Sequence, residues 1–123
     1  MMTNVIIDFP SVFTEEQISY ITQTVAEKAS EVYGDKLRDV ILYGSYARGD
    51  FEEWSDVDIM IIADADDAVC RKLGSELKNK LRDLDYHMNG LLSLIEEPYS
   101  RFDRMKKHYP FYTNVLKEGV KLC

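Results

Sequence analysis

Two short apolar runs joined by a glycine-led turn constrain the fold of this chain more than any other feature. Residues 40–43 lead directly into Gly44-Ser45, and residues 59–62 follow directly after Asp56-Val57-Asp58. Short apolar runs bounded by turn residues are typical of buried strands. Ten residues, 46–55, separate Ser45 from Asp56, which is enough for a turn. The pattern therefore predicts two strands that lie next to each other in one sheet.

Two carboxylates and a phosphate-compatible turn accompany these strands. Because successive side chains on a strand point to opposite faces, Asp56 and Asp58 are expected to project from the same face. Carboxylates directed at one point repel each other unless a cation lies between them. Gly44 and Ser45 offer backbone N–H groups and a hydroxyl, which suit a phosphate. Either motif alone has a structural explanation, but together they favour the metal and phosphate chemistry of nucleotidyl transfer.

The spacing of these motifs resembles the signature of the nucleotidyltransferase superfamily with the DNA polymerase β-like fold. Within it, the chain is most similar to the minimal nucleotidyltransferase (MNT) branch of small bacterial and archaeal domains. The resemblance covers about residues 35–122 and includes the extended turn at 45–49 and the C-terminal stretch at 111–120. It implies an α/β fold in which a small mixed sheet of three or four strands is flanked by helices.

The resemblance also assigns roles to individual residues. Gly44 and Ser45 would hold the triphosphate of ATP, with the hydroxyl of Ser45 donating to a phosphate oxygen. Asp56 and Asp58 would bind the Mg²⁺ ions that bridge the nucleotide phosphates. Two alternatives stay open for Arg48: its guanidinium either forks onto phosphate oxygens or forms a surface ion pair.

A third carboxylate, which the family normally takes from a later strand as the base, is missing from the expected position. Residues 88–95 are the predicted third strand, and this register places Asn89 where the acidic residue should be. Asparagine can coordinate a metal weakly, but it cannot accept a proton at neutral pH. The base is then Asp83, Asp85 or a residue in another register. His87 is a further candidate, although a partly buried structural histidine is the simpler interpretation.

Flanking segments complete the predicted organisation, a single domain over residues 1–123 with its core at about 35–122. Thr14 and Gln17 form a capping-box pattern at the start of a helix over about residues 14–33. The acidic residues 64–67 are explained by the first turn of the next helix, with metal binding as the alternative. Further elements are expected at the positions that follow: an edge strand at 5–7, a helix from Pro98, a short helix from Pro110 to Gly119 and an edge strand at 120–122.

Charge and cysteine content limit the functions and the cellular compartment that fit this chain. A net charge of −7 argues against DNA or tRNA binding, because such binding depends on clustered Lys and Arg. Cys70 and Cys123 are not spaced as a metal or disulfide pair, so both are expected to be free thiols in a reducing compartment. No apolar run reaches the length of a membrane span, and the N-terminal residues do not resemble an export signal. We therefore expect a cytoplasmic protein with no membrane association.

The function that the resemblance implies is transfer of AMP from ATP to a hydroxyl. In the MNT branch the acceptor is often a tyrosine of a separately encoded HEPN-domain toxin, which the nucleotidyltransferase silences as its antitoxin. Two other functions stay open. One is a nucleotide-binding or partner-binding module with weakened catalysis, because Asn89 replaces the third carboxylate. The other is a nucleotidyltransferase that modifies a small molecule such as an antibiotic. Homo-oligomerisation is also left open.

Overall fold

A four-stranded mixed sheet with helices on both faces forms the centre of the computed structural model, which describes residues 5–122. The strands are β1 Leu37–Tyr43, β2 Val57–Ala63, β3 Leu92–Pro98 and β4 Val120–Lys121. The helices are α1 Glu15–Tyr33, α2 Ser45–Arg48, α3 Asp67–Lys80, α4 Arg82–His87, α5 Tyr99–Met105 and α6 Pro110–Glu118. The predicted α/β class and the mixed sheet of three or four strands are confirmed.

The strand order β3-β2-β1-β4 places the two motif-bearing strands at the centre of the sheet. β1 runs antiparallel to both β2 and β4, whereas β2 and β3 are parallel. β1 and β2 are neighbours, as the sequence predicts, and the turn at Gly44 returns the chain to the start of β2. The end of β1 and the starts of β2 and β3 therefore meet at one end of the sheet.

Both faces of the central strands are buried, which explains their continuous apolar runs. One face packs against α1 and α3; its buried side chains include Val40, Leu42, Val57, Ile59, Ile61, Ile21, Val25, Cys70 and Leu77. The opposite face packs against α5 and α6 through Ile41, Tyr43, Met60, Ile62, Phe102 and Val115. Tyr43 and Asp58 share this second face, because they are register partners across β1 and β2.

The N-terminal helix begins and ends where its sequence signals predict. The Thr14 Oγ1 accepts from the Gln17 N–H at 3.1 Å, and the Gln17 Oε1 accepts from the Thr14 N–H at 2.9 Å. These reciprocal hydrogen bonds are a capping box. The helix ends before Gly34, whose φ of 57° lies in the region that glycine adopts most readily.

The third strand differs from its predicted position. β3 begins at Leu92, and residues 88–90 form a turn, so the expected strand over 88–95 is wrong at its start. Asn89 and Gly90 have φ values of 59° and 72°, which suit a tight turn because both residues tolerate this region. Pro98 ends β3 and precedes α5 instead of occupying its first helical position.

Other flanking predictions had mixed outcomes. The expected edge strand at 5–7 is wrong, since these residues form no strand. The short helix from Pro110 and the C-terminal edge strand β4 are confirmed. Cys70 is a buried free thiol, whereas Cys123 lies outside the described residues. None of the helices within residues 5–122 combines the length and the apolar character needed to cross a bilayer.

The acidic residues after β2 have structural partners. Asp66 caps α3 by accepting from the Val69 N–H at 2.9 Å. Asp67 pairs with Arg101 at 2.8 Å, and Arg101 also donates to Glu97, which is only 6% exposed. This network connects β3, α3 and α5, so it agrees with the structural interpretation of residues 64–67.

Candidate active site

A row of polar side chains runs across the sheet at the end where β1 ends and β2 and β3 begin. This polar row consists of Tyr43, Asp58 and Ser93. Tyr43 pairs with Asp58 across β1 and β2, and Asp58 pairs with Ser93 across β2 and β3. Register partners project from the same face of a sheet. The nearby Ser93 side chain also lowers the pKa of the Asp58 carboxyl. Asp58 therefore stands between two hydroxyl-bearing residues.

Gly44 brings the turn into direct contact with this carboxylate. A Cβ atom at Gly44 would lie 2.3 Å from the Asp58 Oδ2, closer than real Cβ contacts allow. The φ of Gly44 is also positive, at 78°, a conformation that glycine adopts without the steric cost of a side chain. Glycine is thus required at position 44 for two reasons. The close approach of Gly44 to Asp58 also brings the Gly-Ser and Asp-x-Asp parts of the sequence motif together.

The local electrostatics around Asp56 and Asp58 are unfavourable. Partial burial raises the pKa of Asp58, and the negative charge of Asp56 raises it further, while the Ser93 hydroxyl and the charge of Arg48 act in the opposite direction. Asp56 is exposed and immediately precedes β2. Burial and the charge of Asp58 also raise the pKa of Tyr43 to about 12. The Tyr43 hydroxyl therefore stays protonated near neutral pH, and the cost of the carboxylate pair would be relieved by a cation.

The donor set at this site fits Mg²⁺ bound together with a nucleotide. Asp56 and Asp58 supply carboxylate oxygens and Ser93 a hydroxyl, all of them hard ligands. Mg²⁺ usually keeps several waters and is held by one or two carboxylates plus substrate phosphates. Within residues 5–122 there is no group of three or more His, Cys, Asp or Glu side chains arranged to hold a metal ion. These ligands therefore suit a metal ion that is shared with the nucleotide phosphates better than a permanently bound structural ion.

Arg48 forms the surface ion pair that was one of its two predicted alternatives. Its Nε lies 3.2 Å from the Asp50 Oδ2, and its Nη1 lies 3.6 Å from the Glu118 Oε1. The pair with Glu118 connects α2 to α6 across the end of β1. Its predicted role in phosphate binding stays a prediction.

The structure does not bring Asn89 onto β3 beside the aspartates. Its side-chain amide donates to the Pro10 carbonyl at 2.7 Å, in the turn before the strand. Ser93 is the β3 residue beside Asp58, so the predicted register of Asn89 is wrong by four positions along the chain. The Asn-Gly pair is itself a turn signal, and it could have revealed this boundary.

The other candidate bases, Asp83, Asp85 and His87, belong to α4 and not to the strand beside Asp58. The Asp85 Oδ1 accepts from the Leu92 N–H at 3.0 Å, which secures the start of β3. Asp83 is exposed on α4. His87 is also exposed, so the expectation of a partly buried histidine is wrong, and its ring centroid lies 5.1 Å from that of Phe9.

A cleft opens beside the Gly44 turn, between α2 and α6. Its volume is about 190 Å³, and its lining residues are Tyr43, Gly44, Arg48, Phe111, Asn114, Val115 and Glu118. It shares Gly44 with the turn and Tyr43 with the polar row, so it is continuous with the candidate site.

Comparison with known proteins identifies the family. Residues 22–110 match the model of the nucleotidyltransferase domain family, a span that contains the whole Gly-Ser and Asp-x-Asp motif. The chain belongs to this family. The nucleotidyltransferase is also 37% identical over 87 residues to a Methanocaldococcus jannaschii protein named "Putative protein adenylyltransferase MJ0604", a match that covers 71% of this chain and 79% of that protein.

Two solved complexes are more distantly similar. A toxin–antitoxin crystallised with AMP-PNP has a TM-score of 0.47 and 20% identity, covering 82% of this chain and 72% of that chain. A tri-AMPylated Shewanella oneidensis HEPN toxin in complex with an MNT antitoxin has a TM-score of 0.45 and 18% identity, covering 85% of this chain and 71% of that chain. Both similarities are too weak to bear on the activity of this nucleotidyltransferase.

Proposed function

We propose that this nucleotidyltransferase transfers AMP from ATP to a hydroxyl of a protein acceptor in the presence of Mg²⁺. The observation that supports it most is the contact between the Gly44 turn and the Asp58 carboxylate, which would place phosphate and metal sites side by side. Similarity to a protein named as a protein adenylyltransferase supports AMP as the group and protein as the acceptor. The resemblance to the MNT branch supports a HEPN-domain toxin as that acceptor.

Each residue of the site has one task in this proposal. The backbone at Gly44 and the hydroxyl of Ser45 hold the triphosphate, while Asp56 and Asp58 hold Mg²⁺. When bound, the metal neutralises charge that develops at the α-phosphate. The acceptor oxygen forms a bond to the α-phosphorus, the bond from that phosphorus to the bridging oxygen breaks, and pyrophosphate leaves with the electron pair. The residues of this chain contribute mainly by positioning the reactants.

The proton of the acceptor hydroxyl has no third carboxylate to receive it at the β3 position. Ser93 occupies that position beside Asp58, and a serine hydroxyl is not a base at neutral pH. A tyrosine acceptor suits such a site, because a phenol with a pKa of about 10 releases its proton far more readily than an aliphatic alcohol does. The proton would pass to solvent. This reasoning favours tyrosine over serine or threonine as the acceptor.

Ser93 also favours one competing function, a nucleotide-binding module with little turnover. Such a module would bind ATP with Mg²⁺ through the same turn and aspartates. It would differ only in failing to transfer AMP at a useful rate, since general acid–base catalysis contributes about 10²–10⁴-fold to enzymatic rates. Binding measurements alone therefore do not separate the two functions, whereas transfer does.

The decisive experiment measures transfer by intact mass. The purified chain is incubated with ATP, Mg²⁺ and candidate protein acceptors, including the product of the adjacent gene. The intact mass of each protein is then measured to detect added AMP. We expect AMP on a tyrosine of one acceptor, and no addition when Asp56→Asn replaces the natural chain. Binding of ATP without transfer to any acceptor would support the module instead.

Restoring a third carboxylate at the observed position should speed transfer. Ser93→Asp places a proton acceptor beside Asp58, and we expect the rate to rise by about tenfold or more. Asn89→Asp is the matched control and should leave the rate unchanged, because residue 89 lies in the turn near Pro10. Rates are compared at saturating Mg²⁺, with thermal unfolding as the check of folding. A rate increase in Asn89→Asp alone would show that the β3 register is misassigned.

A further inference from the structure

We propose that the cleft between α2 and α6 is the binding site for the adenine base of the nucleotide. This inference rests on the proposed function, since it takes the phosphates to lie at the Gly44 turn. It adds what that function leaves unspecified, namely which side chains select the base.

The position of the cleft supports a nucleoside site. Gly44 forms part of both the turn and the cleft wall, and Tyr43 connects the cleft to Asp58. A nucleotide held by its phosphates at Gly44-Ser45 therefore has its sugar and base within reach of this opening. α6 closes the far side, and the buried Val115 anchors that helix to the sheet face beneath.

An aromatic wall provides a surface for the base. Phe111 is 46% exposed, although its ring lies next to those of Tyr43 and Tyr112. It meets the Tyr43 ring edge-on, with centroids 5.8 Å apart and planes at 88°. Nucleobases stack on aromatic side chains because every base offers a flat π-surface. A bound base would thus cover apolar surface that Phe111 otherwise exposes to water.

The polar lining favours adenine over guanine. Asn114 offers one amide donor and one carbonyl acceptor, the pair that matches the adenine N7 and N6 groups. Arginine is the side chain that typically reads the O6 and N7 acceptors of guanine. Arg48 is the arginine in this cleft, and it is engaged by Asp50 and Glu118. The Glu118 carboxylate adds negative charge that would disfavour the guanine O6.

The test compares ATP with inorganic tripolyphosphate, each titrated calorimetrically with Mg²⁺. Phe111→Leu keeps an apolar side chain but removes the stacking surface, and Asn114→Leu removes the amide. We expect each to weaken ATP binding by about tenfold while tripolyphosphate binding stays unchanged, which also shows that the variants fold. Asn114→Leu should in addition lower the preference for ATP over GTP.

Tyr109→Leu is the matched control, because Tyr109 is an exposed aromatic (53%) that directly precedes α6 and does not line the cleft. It should bind ATP like the natural chain. Unchanged ATP affinity in both cleft variants would overturn the adenine site and leave the proposed function standing. If the natural chain bound neither ATP nor tripolyphosphate with Mg²⁺, the phosphate and metal assignment would fail, and the adenine site with it.

Discussion

Asp58→Asn should abolish Mg²⁺-dependent ATP binding and lower AMP transfer by at least about 100-fold. Asp58 lies at the centre of the polar row, in contact with the Gly44 turn and with Ser93 on the next strand. Asparagine keeps the size of the side chain but removes the charge that would hold Mg²⁺ against the phosphates. Calorimetric titration of Mg²⁺·ATP and the intact-mass assay measure the two losses.

The same substitution should raise the stability of the magnesium-free protein. Burial and the charge of Asp56 raise the pKa of Asp58 in the folded state, above the value of about 3.9 that an unfolded aspartate has. The folded state therefore binds the proton more tightly, and stability falls as pH rises from the unfolded pKa through the raised folded pKa. Asp58→Asn lacks this penalty at neutral pH, so its thermal midpoint without Mg²⁺ should be higher by about a few degrees.

Asp64→Asn is the control for both effects. Asp64 follows the opposite end of β2, is exposed, and pairs with Arg38 at 3.7 Å. Its substitution should change neither ATP binding nor, to any large extent, the thermal midpoint, because exposed ion pairs contribute little. Retention of Mg²⁺-dependent ATP binding by Asp58→Asn would contradict the metal assignment.

Gly44→Ala should remove activity by displacing Asp58. The new Cβ would lie 2.3 Å from the Asp58 Oδ2, and the alanine would also be held at a φ of 78°. The conformational cost in this backbone region, which is essentially restricted to glycine, is about 1–3 kcal/mol, and the clash adds about 1–3 kcal/mol, so we expect a total loss of about 2–6 kcal/mol in unfolding free energy. ATP binding should be lost as well, because the carboxylate must move away from the turn.

Gly49→Ala is the control for a positive φ without a clash. Gly49 ends α2 with a φ of 88°, but nothing lies within 4 Å of the position its Cβ would take. It should lose only the conformational term of about 1–2 kcal/mol and keep ATP binding. Denaturant unfolding and nucleotide titration of both variants make the comparison. Equal effects on ATP binding would mean that the contact between residue 44 and Asp58 has no role in the site.

The elements with strong local signals could be predicted closely. The capping box at Thr14 specifies the start of α1, because both partners of its hydrogen bonds lie within one turn. The apolar runs of β1 and β2 are buried on both faces, so they read as strands without knowledge of their neighbours. The turn at Gly44 could also be predicted, because a glycine directly after an apolar run is a local turn signal.

β3 could not be placed as closely from sequence. Apart from Ser93, residues 91–95 are apolar, and the local marker of the strand's start is the Asn89-Gly90 turn signal before them. The hydrogen bond from the Leu92 N–H to Asp85 and the pairing of Ser93 with Asp58 decide the boundary, and both join residues that the strand pattern does not connect. Placing residues 91–95 on the apolar core of the family then put Asn89 where the third carboxylate is expected.

The sequence by itself determined the family-defining motif, the identity of its strands and the α/β class, since these depend on local patterns of apolar and turn residues. Only the tertiary structure decided which side chains share the site. It shows Ser93 beside Asp58, Asn89 in a turn, Arg48 paired with Glu118 and a cleft between α2 and α6. The physical reason is that strand register and helix packing are set by contacts between distant segments. Such contacts leave little trace in the local pattern of either one.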